Sequence, residues 1–148
     1  MSKAPYCYEY PRASVTVDIV VVTKERRPRV LLIQRKQPPF QGTWALPGGF
    51  IDMDETLEAS ARRELEEETG IQVGKLAQIA VFGDPGRDPR GRTISVVYLA
   101  RVKANQVKPR AADDAAAAAW FPLARPPKLA FDHREILASA RAHLRKAR

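Results

Sequence analysis

The chain has 148 residues, enough for one domain spanning 1–148 with a real core, and its hydrophobic share of 45% is ordinary for a soluble globular protein. A single cysteine, Cys7, excludes an internal disulfide and fits a reducing, cytoplasmic setting; no apolar run approaches a membrane span, and the start Met-Ser-Lys-Ala-Pro lacks a signal-peptide core, so no membrane contact is expected. The net charge of +8 is uneven: residues 49–71 hold eight acids and two bases, leaving +14 on the remainder, a balance that suits a polyanionic substrate bridged by metal and also suits weak nucleic-acid binding.

Residues 1–12 contain Tyr6, Tyr8, Tyr10 and Pro11 and read as an N-terminal arm: an extended edge strand, a dimer contact or a loosely docked terminus. From Ala13 to Val22 the residues alternate, with Val15, Val17, Ile19 and Val21 on one face, which predicts a strand. A basic connection, Lys24 to Pro28, leads to a partner strand of a hairpin from Arg29 to Arg35. Residues 37–42 form a proline-bearing loop flanked by Phe40 and Trp44, aromatics that serve as core or lid more often than as stacking platforms. Trp44 to Leu46 begins a short strand entering a tight Pro47-Gly48-Gly49 turn, where the glycines let the backbone approach a phosphate or metal closely.

Next comes a helix beginning near the N-cap Thr56 and stopping at Gly70, a residue that accepts the left-handed conformation of a helix end. Leu57, Ala61 and Leu65 make an apolar stripe. Glu64, Glu67 and Glu68 stand at i, i+3 and i+4 on one face, while Glu66 points away and can pair with Arg62. Each like-charge repulsion costs about 0.2–0.5 kcal/mol, which Arg63 offsets only in part, most directly at Glu67. Such a face is either a solvated acidic surface or a site for a divalent cation, which takes hard carboxylate oxygens beside waters and substrate phosphates; periodicity leaves the two even.

After Gly70 a strand is expected from Lys75 to Phe82, and residues 83–92 then break every periodicity. That loop carries Arg87, Arg90 and Arg92 between glycines and prolines, planar donors suited to phosphate, and is read as a recognition loop rather than a solvated hairpin tip. Thr93 to Val102 is a long β-branched strand expected at the centre of a sheet, followed by a polar connection from Asn105 to Arg110. Asp113 and Asp114 open an alanine run ending in a short strand at Trp120-Phe121, and these two acids either add a carboxylate to the site or start a turn. A proline-rich linker from Pro122 to Lys128 precedes a last helix, capped by Asp132 in a capping box with Glu135 and packed through Ile136, Leu137, Ala140 and Leu144. His133 and His143 are assigned to the surface. The order of elements gives an α+β or mixed-sheet sandwich with outer helices.

The spacing Gly49, Glu55, Arg63, Glu64, Leu65, Glu67, Glu68, Gly70, Ile71 resembles the Nudix box, G-x5-E-x7-R-E-U-x-E-E-x-G-U with U aliphatic, without departure; at average residue usage the chance is on the order of 10⁻¹⁰ per start position. The box covers 23 residues, and the flanking Trp44-Ala-Leu-Pro-Gly-Gly and strand patterns extend the resemblance over most of the chain. It implies the α/β/α sandwich of that family and a pyrophosphohydrolase using Mg²⁺ or Mn²⁺. It further implies that Glu64, Glu67 and Glu68 ligate the metal, with Glu67 or Glu68 as base. Glu55 would support a metal indirectly or through water, Arg63 would orient a glutamate, and a backbone carbonyl of Gly48-Gly49 would complete the shell. Some relatives take their base from a loop outside the box, for which Asp113 and Asp114 are candidates.

Pro85 lies 15 residues after Gly70, a spacing associated in the family with ADP-ribose pyrophosphatases. The resemblance thus implies hydrolysis of ADP-ribose to AMP and ribose 5-phosphate, with Arg87, Arg90 or Arg92 on the phosphates or terminal ribose and Phe40, Trp44 or an N-terminal tyrosine on adenine. The alternatives are a (deoxy)nucleoside triphosphate pyrophosphohydrolase and a non-catalytic ligand sensor or regulator. With the chain ending at Arg148, no appended DNA-binding domain and no specific nucleic-acid partner are expected; a homodimer is suggested by analogy alone.

Overall fold

The computed structural model describes residues 5–111 and 115–147. Two strands form its spine. β1 (Ser14–Thr23) and β6 (Thr93–Val102) run parallel along their whole length, from Ser14 opposite Thr93 to Thr23 opposite Val102. On one side β1 joins β2 (Arg29–Arg35) in the expected antiparallel hairpin, and β2 pairs with the short β3 (Trp44–Ala45). On the other side β5 (Ala77–Phe82) closes against β6, giving the mixed order β3-β2-β1-β6-β5. β4 (Gly48–Phe50) also pairs with β1, and β7 (Ala115–Pro122) with β2.

Being central, β1 is buried on both faces. Its odd positions, Val17, Ile19 and Val21, pack with Ala61 and Leu65 of α1 (Leu57–Thr69). Its even positions, Val20 and Val22, pack with Ile136, Leu137 and Ala140 of α2 (His133–Lys146). The helices therefore cover opposite faces of one sheet, and the expected α/β/α sandwich is realised. Full burial of each of Leu65, Ile136 and Leu137 contributes roughly 1.5–3 kcal/mol. The caps of α1 are as predicted: the Thr56 hydroxyl accepts from Ala59 N–H, and Gly70 closes the helix at φ 71° by donating to Glu66.

Several expectations are corrected. The Gly48-Gly49 segment is a strand, not a tight turn: Gly48 and Gly49 pair with Asp18 and Val17. A Cβ on Gly48 would lie 2.2 Å from the Val17 carbonyl, so glycine is needed for close approach rather than for a bend. The alanine run is no short strand but a full partner of β2, pairing from Arg29 opposite Pro122 to Arg35 opposite Ala115; the ladder overrides alanine's poor strand propensity. The capping box of α2 does not form, because Asp132 makes no side-chain cap and instead holds Arg87. Arg62 pairs with Glu58 at 2.8 Å and with the carbonyls of Val73 and Gly74, while Glu66 accepts from Gln72 rather than from Arg62. Residues 5–12 form no strand and leave Tyr6, Tyr8 and Tyr10 exposed. Among the described residues no helix is long and apolar enough to cross a membrane.

Candidate active site

A cleft of about 420 Å³ opens where the ends of β1, β2 and β4 meet α1, the 83–92 loop and the start of α2. Glu64 and Glu68, one helical turn apart, both line it, and α1 is pressed so close to β4 that a Cβ on Gly49 would lie 2.5 Å from the Glu64 carboxylate. Glu67, expected as a third ligand, does not line it; its side chain is half-exposed, 3.3 Å from Arg63.

Arg63 organises the acidic wall. It donates to Glu55 at 2.7–3.0 Å, to Glu64 at 2.9 Å, to Glu67 at 3.3 Å and to the Phe50 carbonyl at 3.2 Å. Its tightest partners are thus Glu55 and Glu64, not Glu67 as the helix spacing suggested. Hydrogen bonds from Arg63 and Ser60 hold the Glu55 carboxyl down at about 2, and Glu55 in turn raises the Arg63 guanidinium above its ordinary value.

Glu68 behaves in the opposite way. Burial, with Glu64 and Asp18 nearby, pushes its carboxyl up to about 9, against a stabilising hydrogen bond from the Gly48 backbone and the charge of Arg35. Its Oε2 is buried without a hydrogen-bond partner in the protein. An orphaned hard oxygen beside further carboxylates is the environment that a divalent cation relieves, so these residues fit a hard divalent metal. Among the described residues no three His, Cys, Asp or Glu side chains already converge as an ion cage.

The opposite wall is cationic. Arg35, at the end of β2, donates to the Pro39 carbonyl at 2.7 Å and lies 4.9 Å from the Phe131 ring; burial and the charge of Arg90 lower its guanidinium's affinity for a proton. Arg90 stacks over Phe50 at 4.8 Å and Phe131 at 5.4 Å while Asp88 holds it. Arg87 lines the cleft but is locked in a two-pronged pair with Asp132 at 2.6 and 2.8 Å, a positioning strut between loop and helix. Arg92 does not line the cleft; it bonds the Gly83 carbonyl and braces the loop. Neither Phe40 nor Trp44 lines it: Phe40 packs on Phe131 at 4.8 Å, and Trp44 sits edge-on against Phe121 at 4.7 Å. Asp113 and Asp114 lie outside the described residues.

Arg35 escaped the sequence reading, and so did His133, Asp18 and Phe131. His133 is buried, not on the surface: its Nδ1 accepts from Leu46 N–H at 3.0 Å, its Nε2 lies 3.4 Å from Asp18, and burial lowers its proton affinity. Asp18 accepts from Ser95 under the same floor. Its signal was a charged residue in the middle of an apolar strand. Phe131 takes φ 52°, a conformation costly for a non-glycine residue, and thereby presents its ring to Arg35 and Arg90; nothing in the sequence marked it.

Known proteins resemble this chain over most of its length. The NUDIX domain profile matches residues 12–140. An ADP-ribose pyrophosphatase of Methanocaldococcus jannaschii is 43% identical over 86% of this chain and 73% of its own. An ADPR responsive transcriptional repressor of Acinetobacter baylyi is 39% identical over 92% of this chain, which spans only 56% of the repressor. The NUDIX domain of Shewanella oneidensis NrtR, solved with ADP ribose, superposes with a TM-score of 0.83 at 36% identity, covering 91% of this chain and 90% of that one. With the box intact, the sheet and both helices in place and 129 residues matched, the chain belongs to the Nudix family.

Proposed function

We propose that the protein hydrolyses the diphosphate of a nucleoside diphosphate linked to another moiety, with ADP-ribose plus water giving AMP and ribose 5-phosphate. The observation that carries the reading is the pairing, across one cleft, of an orphaned buried Glu68 oxygen beside Glu64 with the guanidinium groups of Arg35 and Arg90. Similarity to the M. jannaschii ADP-ribose pyrophosphatase and to an ADP-ribose-bound Nudix domain supports the substrate.

In this reading Glu64, Glu67 and Glu68, with the backbone of Gly48-Gly49, would hold Mg²⁺ or Mn²⁺, which neutralises diphosphate charge and makes bound water more acidic. Arg63 keeps Glu64 aimed into the cleft and keeps Glu55 ionised beside it. Arg35 and Arg90 bind phosphate oxygens, with the Phe131 ring excluding water behind them. Water attacks one phosphorus, the bridging P–O bond breaks, and a carboxylate of the Glu64–Glu68 face takes the proton. Cys7, exposed and unpaired, supports a reducing, cytoplasmic setting, and the exposed tyrosines of the arm support a homodimer contact.

The test is product analysis with ADP-ribose and Mg²⁺ beside a nucleoside triphosphate panel. AMP and ribose 5-phosphate, with triphosphates largely untouched, is the expected result. Pyrophosphate release from triphosphates with inert ADP-ribose overturns the substrate. The similarity to a repressor favours one second reading, a sensor: ADP-ribose bound at the cleft without turnover would establish it.

A further inference from the structure

The chain's excess positive charge gathers at the end of the sheet away from the cleft. β1 runs from Asp18 in the cleft floor to Thr23 at the hairpin, about 17 Å at strand rise. α2 makes the same traverse, from His133 in the cleft to Arg145, about 18 Å at helical rise. Three segments meet at that far pole: the hairpin 23–29, the end of β6 at 101–103 and the end of α2 at 141–146. Together they carry nine lysines and arginines against one acid, equal to the net +8 of the whole protein. That acid, Glu25, is already held by Arg29 at 3.0 Å and by the Thr23 hydroxyl at 2.8 Å.

The pole is shaped as well as charged. Arg101, Arg141 and Arg145 border a hollow of about 170 Å³ floored by Val22, Leu123 and Leu144. Arg141 is steadied by the Leu123 carbonyl at 3.1 Å, whereas Arg101 and Arg145 are exposed and make no ion pair among the described residues. Beyond Glu25 a second, open hollow is bordered by Lys24, Arg29 and Lys103. Gathering like charges around hollows is unfavourable unless an anion is shared between them. Arginine predominates, and its planar fork suits phosphate. The large exposed apolar side chains (Tyr6, Tyr8, Tyr10, Phe40, Phe50, Met53, Val81) all belong to other segments, so the pole lacks the apolar face with which a peripheral protein enters a bilayer.

We propose that this pole is a docking face for the phosphate backbone of a nucleic acid, engaged through charge and without base readout. It is independent of the reaction assigned to the cleft, since its readout is binding and not turnover.

The test is fluorescence anisotropy of the full chain with labelled single-stranded RNA and duplex DNA of two unrelated sequences, from 50 to 200 mM salt, beside flotation on phosphatidylserine vesicles. The expected result is sequence-indifferent binding with a logarithmic salt slope of several ions, weakened at least about tenfold in Arg101→Glu/Arg145→Glu, with the slope reduced by about 2. The charge-matched control Arg12→Glu/Lys128→Glu, at exposed positions before β1 and beside β3, should retain binding within about threefold. Circular dichroism and ADP-ribose hydrolysis should be unchanged in both variants. Absence of binding at 50 mM salt, equal losses in the two variants, or binding to vesicles but not to nucleic acid would overturn the proposal.

Discussion

Replacing Glu68 by glutamine should make the metal-free protein more stable while removing its activity. The free carboxyl value of 4.5 and the buried value of about 9 define a window in which the folded chain holds a proton that the unfolded chain has released. Across it stability falls as pH rises, by about 1.4 kcal/mol per pH step, so by pH 7 the penalty is on the order of 3 kcal/mol. Glutamine keeps the shape and cannot ionise, so the variant regains that energy. At about 3 °C per kcal/mol for a chain of this size, Tm should rise by roughly 5–10 °C at pH 7. The assay is thermal unfolding in EDTA at pH 5, 7 and 8.5, followed by Mg²⁺ addition and by turnover. Wild type should lose stability toward pH 8.5 and regain it with Mg²⁺; Glu68→Gln should show a flatter profile, little response to Mg²⁺ and a loss of kcat of at least about 100-fold. A variant no more stable than wild type at pH 8.5 in EDTA would refute the claim that Glu68 is a buried, uncompensated carboxyl.

The two neighbouring glycines should separate fold from function. Gly48→Ala pushes a Cβ against the Val17 carbonyl and should destabilise by several kcal/mol in denaturant titrations, whereas Gly49→Ala meets only the movable end of Glu64 and should lower kcat with little change in Cm. Arg63→Lys cannot reach Glu55, Glu64 and Glu67 together, so the Mg²⁺ concentration for half-maximal activity should rise about 10–100-fold; an unchanged value would remove Arg63 from the metal's support. His133→Ala strands the Leu46 N–H and leaves a cavity, a cost of about 2–4 kcal/mol by urea unfolding. His133 is held neutral in the fold, so its contribution is present above the free value of 6.5 and is lost as pH falls below it; the variant should lack that acid limb.

The elements that were legible in the sequence are those whose signal is local. The alternation of β1, the Thr56 and Gly70 caps of α1 and the stripe of α2 each follow from neighbours a few residues apart. The box places Glu64 and Glu68 on one helical face for the same reason, and periodicity needs nothing beyond the chain itself. β7 was hidden because alanine has no strand signal until β2 supplies a ladder. The capping box at Asp132 was locally well formed and still wrong, since an arginine 45 residues away in sequence competes for that carboxylate with a two-pronged charged bond.

By itself, then, the sequence determined the family, the acidic helix face and the place of Thr93–Val102 inside the sheet. Only tertiary structure decided what each charge does. Burial makes Glu68 costly while an arginine keeps Glu55 ionised, although both are glutamates of the same box. The loop arginines divide in the same way: Arg87 and Arg92 are occupied as struts, Arg90 is held by Asp88 over the rings of Phe50 and Phe131, and the cleft also receives Arg35 from the end of β2. Proton affinity and free hydrogen-bonding capacity depend on solvent exclusion and on partners distant in the chain. Residue type and spacing do not encode those quantities until the sheet and helices close around them.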